Sequence, residues 1–183
     1  VEAEVIAVNK SSAKELGLPE DVDGLLILAA DAPVGADIRT HLDLDDTVFT
    51  LKITPNRADC LSIKGIAREV GALTQAAVTP VAEQSASVTT DDIQSVRIDA
   101  PDDCGRFLTR VIRDVNAAAP TPAWLKQGLH RSGVRSISAL VDIGNYVMLE
   151  LGQPMHVFDA DTLSGSLIVR RAAAGETLAC LNE

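Results

Sequence analysis

The chain has 183 residues, 46% of them apolar and only 3% aromatic, with a formal net charge of −10 and a sequence pI near 4.7. That length suits one large domain or two small ones. The apolar share excludes a disordered chain, while so acidic a balance excludes a protein that grips nucleic acid through a broad basic surface.

No apolar run approaches the ~18 residues that a membrane helix needs. Three cysteines, Cys60, Cys104 and Cys180, are far apart, odd in number and free of any C-x-x-C spacing. They suit reduced thiols in a cytoplasmic setting better than a disulfide framework or a zinc site. A local basic patch stays open within the acidic whole, with Arg106, Arg110, Arg113, Lys126 and Arg131 as its candidates. The first residues read as a strand already under way and the last as a strand running into a turn. The expectation is a piece of a longer protein.

Val1 to Val8 alternates as V-E-A-E-V-I-A-V, the pattern of a strand with one buried face. A short helical turn is expected over Ala13 to Leu16, then a buried strand from Gly24 to Leu28 and a one-turn helix near Asp37 to Leu42. Asp45 and Asp46 read as solvated charge. Thr47 to Ile53 alternates cleanly and predicts a strand. The loop Thr54-Pro55-Asn56-Arg57-Ala58 leads to a helix of about Cys60 to Thr74. Asp59 is its expected N-cap, and Ile63, Ile66, Ala67, Val70 and Leu73 form its apolar face.

The Ala-, Ser-, Thr- and Pro-rich run from Ala76 to Thr90 marks a linker. Val96 to Ala100 predicts a strand, and so does Arg106 to Val115, where charge and apolar bulk alternate. Thr121 is the expected N-cap of a helix from Pro122 to Arg131, closed by Ser132-Gly133. A second helix is expected from about Ile137 to Leu149, after Ser136. Short strands are expected at Ser166 to Arg171 and Thr177 to Leu181, with a helical turn at Asp161 to Leu163 between the second helix and the first of them.

The stretch from Val134 to Asp159 carries the chemistry. It sets one apolar helix between Arg135 and a compact turn, Gly152-Gln153-Pro154-Met155-His156. A histidine in such a turn serves as a hydrogen-bond donor or general base near neutral pH, or else only caps local carbonyls. An arginine offers a fork that fits phosphate or carboxylate, or sits in a surface ion pair. Asn145 either satisfies neighbouring backbone or reads a substrate. Asn56 and Arg57 could hold an anion at a helix start, against the plainer reading of an Asx-turn with an exposed arginine. His41 and His130 lack partners at metal-ligand spacing. There is no glycine-rich phosphate loop, nucleophile elbow or metalloprotease motif.

Three segments, in order, carry a resemblance that spans nearly the whole chain. They are E-L-G-L-P-E-D-V-D-G-L-L-I-L with D-A-P-V-G, then I-T-P-N-R-A-D-C-L-S-I-K-G-I-A-R-E-V-G-A-L (Ile53 to Leu73), and R-S-G-V-R-S-I-S-A-L-V-D-I-G-N-Y-V-M-L-E-L-G-Q-P-M-H-V-F-D (Arg131 to Asp159). These resemble the β subunits of bacterial phenylalanine–tRNA ligases. The resemblance implies an α+β chain: the C-terminal remnant of an OB-type β-barrel over 1–46, a small helical B1 segment over 47–78, and a linker over 79–90. The first half of a B3/B4 α/β editing domain would follow over 91–183.

It also implies a partner α subunit in an α2β2 heterotetramer that uses ATP and Mg²⁺ for aminoacylation, with tRNA(Phe) as substrate. No cofactor, membrane or DNA is implied for this region itself. The family's editing arginine and histidine fall on Arg135 and His156, and Asn145 and Gln153 match positions near that pocket. Hydrolysis of mischarged tyrosyl-tRNA(Phe) is the implied activity, with a non-catalytic scaffold for assembly or tRNA docking as the alternative. The sequence departs at Ile143-Gly144, where valine-threonine is more usual, and at Val157, where alanine is. The family's tyrosine-reading glutamate would lie beyond Glu183, so the isolated stretch is expected to be inactive.

Overall fold

The computed structural model describes residues 6–8, 24–26, 28, 32–82 and 84–179. The chain divides into two compact units, each built from two segments: 1–80 with 117–157, and 81–116 with 158–183.

In the first unit, strands β1 (Ile6–Val8) and β2 (Gly24–Leu26) pair antiparallel, with Ile6 opposite Leu26 and Val8 opposite Gly24. The expected turn at 13–16 lies outside the described residues. Helix α1 (Ile38–His41) is capped by the Asp37 carboxylate, which accepts the Arg39 amide at 3.0 Å, as a short polar residue ahead of a helix should. Asp45 and Asp46 are not simply solvated. Asp45 pairs with Arg39 at 2.6 Å and Asp46 with Arg131 at 2.9 Å.

Residues 47–53 form no strand. Their alternation is real, but no described strand lies beside them to take up their N–H and C=O groups, and a strand without a ladder has nothing to hold it. Phe49 is 79% exposed as a result. A 3₁₀ segment, Pro55–Cys60, follows and is broken at Arg57.

Helix α2 (Ile63–Thr74) is capped by Ser62, whose Oγ accepts the Gly65 amide at 3.1 Å, and not by Asp59. Asp59 is committed elsewhere, to Arg57 at 3.0 Å. Gly65 allows the close approach of the 3₁₀ segment: a Cβ there would stand 1.7 Å from the Asp59 carbonyl oxygen. The expected apolar face of α2 is only partly covered. Ile66 and Ala67 are half-buried, whereas Ile63 and Leu73 are exposed.

Helices α3 (Ala123–Arg131) and α4 (Ala139–Leu151) pack on one another, and α4 also packs on α2. Leu125 and Leu129 of α3, with Cys60, are the buried apolar side chains among the described residues. Trp124 meets Tyr146 edge to face at 5.4 Å, a favoured aromatic geometry. Thr121 does not cap α3, because its hydroxyl donates to Asp142 instead. The start of α4 is likewise later than Ile137, since Ser136 and Ile137 are also bound to Asp142. Gly152 ends α4 in the left-handed region, at φ 77°, close against Ser62, the usual glycine terminus.

In the second unit, β3 (Val96–Ile98) and β4 (Leu167–Val169) pair parallel, Val96 opposite Leu167. The hydroxyls of Ser95 and Ser166, 2.7 Å apart, and Gln94 donating to the Gly165 carbonyl at 2.8 Å extend the pairing. Residues 106–115, expected as a strand, lack a ladder and are tethered by side chains. Thr109 donates to the Gln94 carbonyl at 2.8 Å, and Arg113 pairs with Asp92 at 2.7 Å. A 3₁₀ turn, Ala160–Thr162, is capped by Asp159. The described part of the expected last strand, 177–179, is irregular.

Candidate functional site

The Arg135-to-His156 stretch is built around α4. By itself that helix would hold its flanks roughly 20 Å apart, at about 1.5 Å of rise per residue. Both flanks fold back. The Ser136 hydroxyl and the Ile137 amide reach Asp142 at 2.5 and 2.9 Å. At the other end Met155 lies against Gly144, where an added Cβ would meet the Met155 Cβ at 3.8 Å. The segment after Arg135 and the turn before His156 therefore return to the same turn of α4.

Helical geometry sets Asn145 on the arc between those two flanks, roughly 60° round from Asp142 and roughly 100° from Gly144. Asn145 is half-buried. Arg135, Gln153 and His156 are exposed, and Gln153 donates to the neighbouring Pro154 carbonyl at 3.3 Å. These groups offer hydrogen bonds and one permanent positive charge. They suit binding and orientation of a polar or anionic ligand.

Asp142, which sequence reading passed over, is the organising group. It is completely buried, and its Oδ2 accepts the hydroxyls of both Thr121 and Ser136 at 2.5 Å, the length of a charge-assisted bond. Burial works against the charge. The bonds from Ser136, Thr121 and the Ile137 amide, with the field of Lys126, outweigh it and hold the carboxyl below its ordinary value. The signal was present: an aspartate near the start of a mostly apolar helical run, preceded by the hydroxyl residues Ser136 and Ser138.

Arg57 is the second surprise. It is not an exposed arginine beside an Asx-turn but half-buried, paired with Glu69 at 2.6 Å and Asp59 at 3.0 Å, with the Cys60 sulfur at 3.2 Å. Glu69 first, then Asp59, raise its pKa, and Arg57 in turn lowers both of theirs. Burial pushes the Cys60 thiol up. Such a thiol is a poor nucleophile.

Two open hollows lie among the described residues. One is lined by Arg39, Asp45, Asp46 and Thr47; the other, of about 240 Å³, by residues 51–54 with Arg57, Cys60 and Ile66. Neither includes Arg135, Asn145, Gln153 or His156. Of the basic-patch candidates, Arg113 and Arg131 are already paired with carboxylates. No group of three His, Cys, Asp or Glu side chains among the described residues could hold a metal ion, and no helix among them is long and apolar enough to cross a membrane.

The B3/4 domain family model matches residues 103–183. The phenylalanine–tRNA ligase beta subunit of Neisseria gonorrhoeae is 75% identical over 94% of this chain, and that of Neisseria meningitidis serogroup B is 70% identical over the same share. The corresponding subunit of Chromobacterium violaceum is 62% identical, again over 94%. The chain spans 22% of the length of each of these relatives.

Proposed function

The chain belongs to the family of phenylalanine–tRNA ligase β subunits, and from that premise we propose that it contributes to tRNA binding and to post-transfer editing, the hydrolysis of tyrosyl-tRNA(Phe). On this reading the α subunit of an α2β2 assembly attaches phenylalanine with ATP and Mg²⁺, and the region described here works in the cytoplasm on the 3′ end of the charged tRNA. The supporting observation is the fold-back of both flanks of α4 to the same level of that helix, at contacts roughly 160° apart round its axis with Asn145 between them.

In the proposed reaction a water attacks the ester carbonyl, the bond to the terminal ribose oxygen breaks, and tyrosine and tRNA with a free hydroxyl leave. Arg135 binds the terminal phosphate region through its guanidinium, and His156 orients the water or the ribose. Asn145 and Gln153 contribute hydrogen bonds to the substrate. A site built to pair with a phenolic hydroxyl rejects phenylalanine, because its polar groups would be left unsatisfied. With a net charge of −10, tRNA binding by this region is expected to be weak and salt-sensitive.

The test is Arg135→Ala in the whole ligase. Hydrolysis of tyrosyl-tRNA(Phe) should fall roughly tenfold to a hundredfold, with phenylalanine attachment unchanged. In His156→Ala, weakened binding with unchanged single-turnover hydrolysis would show that the histidine only orients substrate. The scaffold reading is favoured by one observation, the exposure of Arg135, Gln153 and His156 outside both hollows. Undiminished hydrolysis in the Arg135 and His156 variants would establish it in place of editing.

A further inference from the structure

We propose that Asp142 is a positioning residue for Arg135: its carboxylate anchors the two residues that follow Arg135 onto α4 and so sets the direction in which the guanidinium leaves the chain. The inference rests on the proposed editing role of Arg135.

Three observations carry it. First, Asp142 is fully buried, and its hydrogen bonds come from hydroxyls and an amide, with Lys126 acting on it only through its field. A buried carboxylate held by neutral donors is a costly way to hold two helices together. Leu125 and Leu129 already supply an apolar seam between α3 and α4. Second, two of its three donors, Ser136 and Ile137, are the residues immediately after Arg135. Side-chain and backbone bonds together fix both the position and the orientation of that peptide, which a single contact would not do. Third, α4 begins only at Ala139, and within 135–138 the helix ladder reaches only Ser138, whose carbonyl accepts the Asp142 amide at 2.8 Å. Before Arg135 the Val134 amide donates to the Leu129 carbonyl at 2.9 Å, and directly after it the chain is held by the Asp142 carboxylate; an error of about 1 Å in placing a binding group is enough to cost rate.

The experiment uses the whole α2β2 ligase and follows single-turnover hydrolysis of tyrosyl-tRNA(Phe), alongside phenylalanine attachment as a check on folding. Asp142→Asn keeps the shape and the acceptor for Ile137 but loses the charge that draws in both hydroxyls. It should lower hydrolysis roughly tenfold while leaving attachment intact. The loss should vanish when Asp142→Asn is added to Arg135→Ala, since a residue that acts through Arg135 has nothing left to position.

Additive losses in the double variant, or full hydrolysis in Asp142→Asn, would overturn the inference while leaving Arg135 in its role. If Arg135→Ala itself hydrolyses normally, the editing assignment falls and this inference with it. Should Asp142→Asn fail to fold, the comparison of Ser136→Ala with Thr121→Ala decides. Ser136→Ala, on the Arg135 side, should impair hydrolysis, and Thr121→Ala, on the α3 side, should not. Equal losses would reduce Asp142 to a helix clamp.

Discussion

Asp142 and Arg57 each tie a helix of the first unit to the segment before it, by opposite chemistry. Asp142 is sealed from water and satisfied by neutral donors. Arg57 reaches two carboxylates, Asp59 and Glu69, whose side chains stay 61% and 33% exposed. The first arrangement is local, directional and shielded from ions. The second is a charge network open to solvent, and screening should reach it. The difference separates a tie that defines one geometry from a tie that trims a helix onto a turn.

The largest expected effect tests the buried tie. Asp142→Ala removes the acceptor of three donors and leaves a void, and should cost about 3 kcal/mol or more, read as a fall in the thermal unfolding midpoint. A near-neutral result would mean that water or rearranged hydroxyls replace the carboxylate. Next comes Gly65→Ala beside the Arg57 network. Its Cβ must displace the Asp59 carbonyl, so a loss of about 2–3 kcal/mol is expected, with the Arg57–Asp59 pair disturbed together with the backbone.

The smallest effect belongs to the ion network itself. Glu69→Gln should lower the unfolding midpoint only slightly, and the difference from the unaltered chain should shrink in high salt. The pH dependence has a definite sign. The folded-state pKa values of Asp59 and Glu69 lie below their ordinary values because of Arg57. Their contribution is therefore fully present above the ordinary carboxylate range and disappears as pH falls through the lowered values. The Asp142 carboxyl is also lowered, so its share is lost in acid in the same direction. Salt sensitivity, not pH, distinguishes the two ties.

Local signals in the sequence were legible where local chemistry suffices. Asp37 ahead of α1 and Gly152 after α4 act as their residue types predict, because a cap needs only the neighbouring turn. Alternation misled at 47–53 and 106–115, where a strand needs a partner that alternation does not supply. Thr121 and Asp59 misled in another way. Each is an ordinary N-cap residue by type, and each is claimed by another side chain in preference to a helix end, Asp59 by Arg57 two residues before it and Thr121 by Asp142 on α4. Arg135 and His156 stood out from the turn and helix that frame them, and Asn145 as a polar residue in an apolar run, but their editing roles and the choice of Gln153 came from resemblance.

By itself the sequence determined the apolar helix flanked by Arg135 and His156, through residue order and periodicity, and through resemblance it pointed to the family and its α+β character. Only the tertiary structure decided that the flanks of that helix fold back to one of its turns, and that a buried aspartate holds one of them there. A carboxylate's partners are chosen by what is left near it once water is excluded, and that depends on how α3 and α4 pack around Asp142.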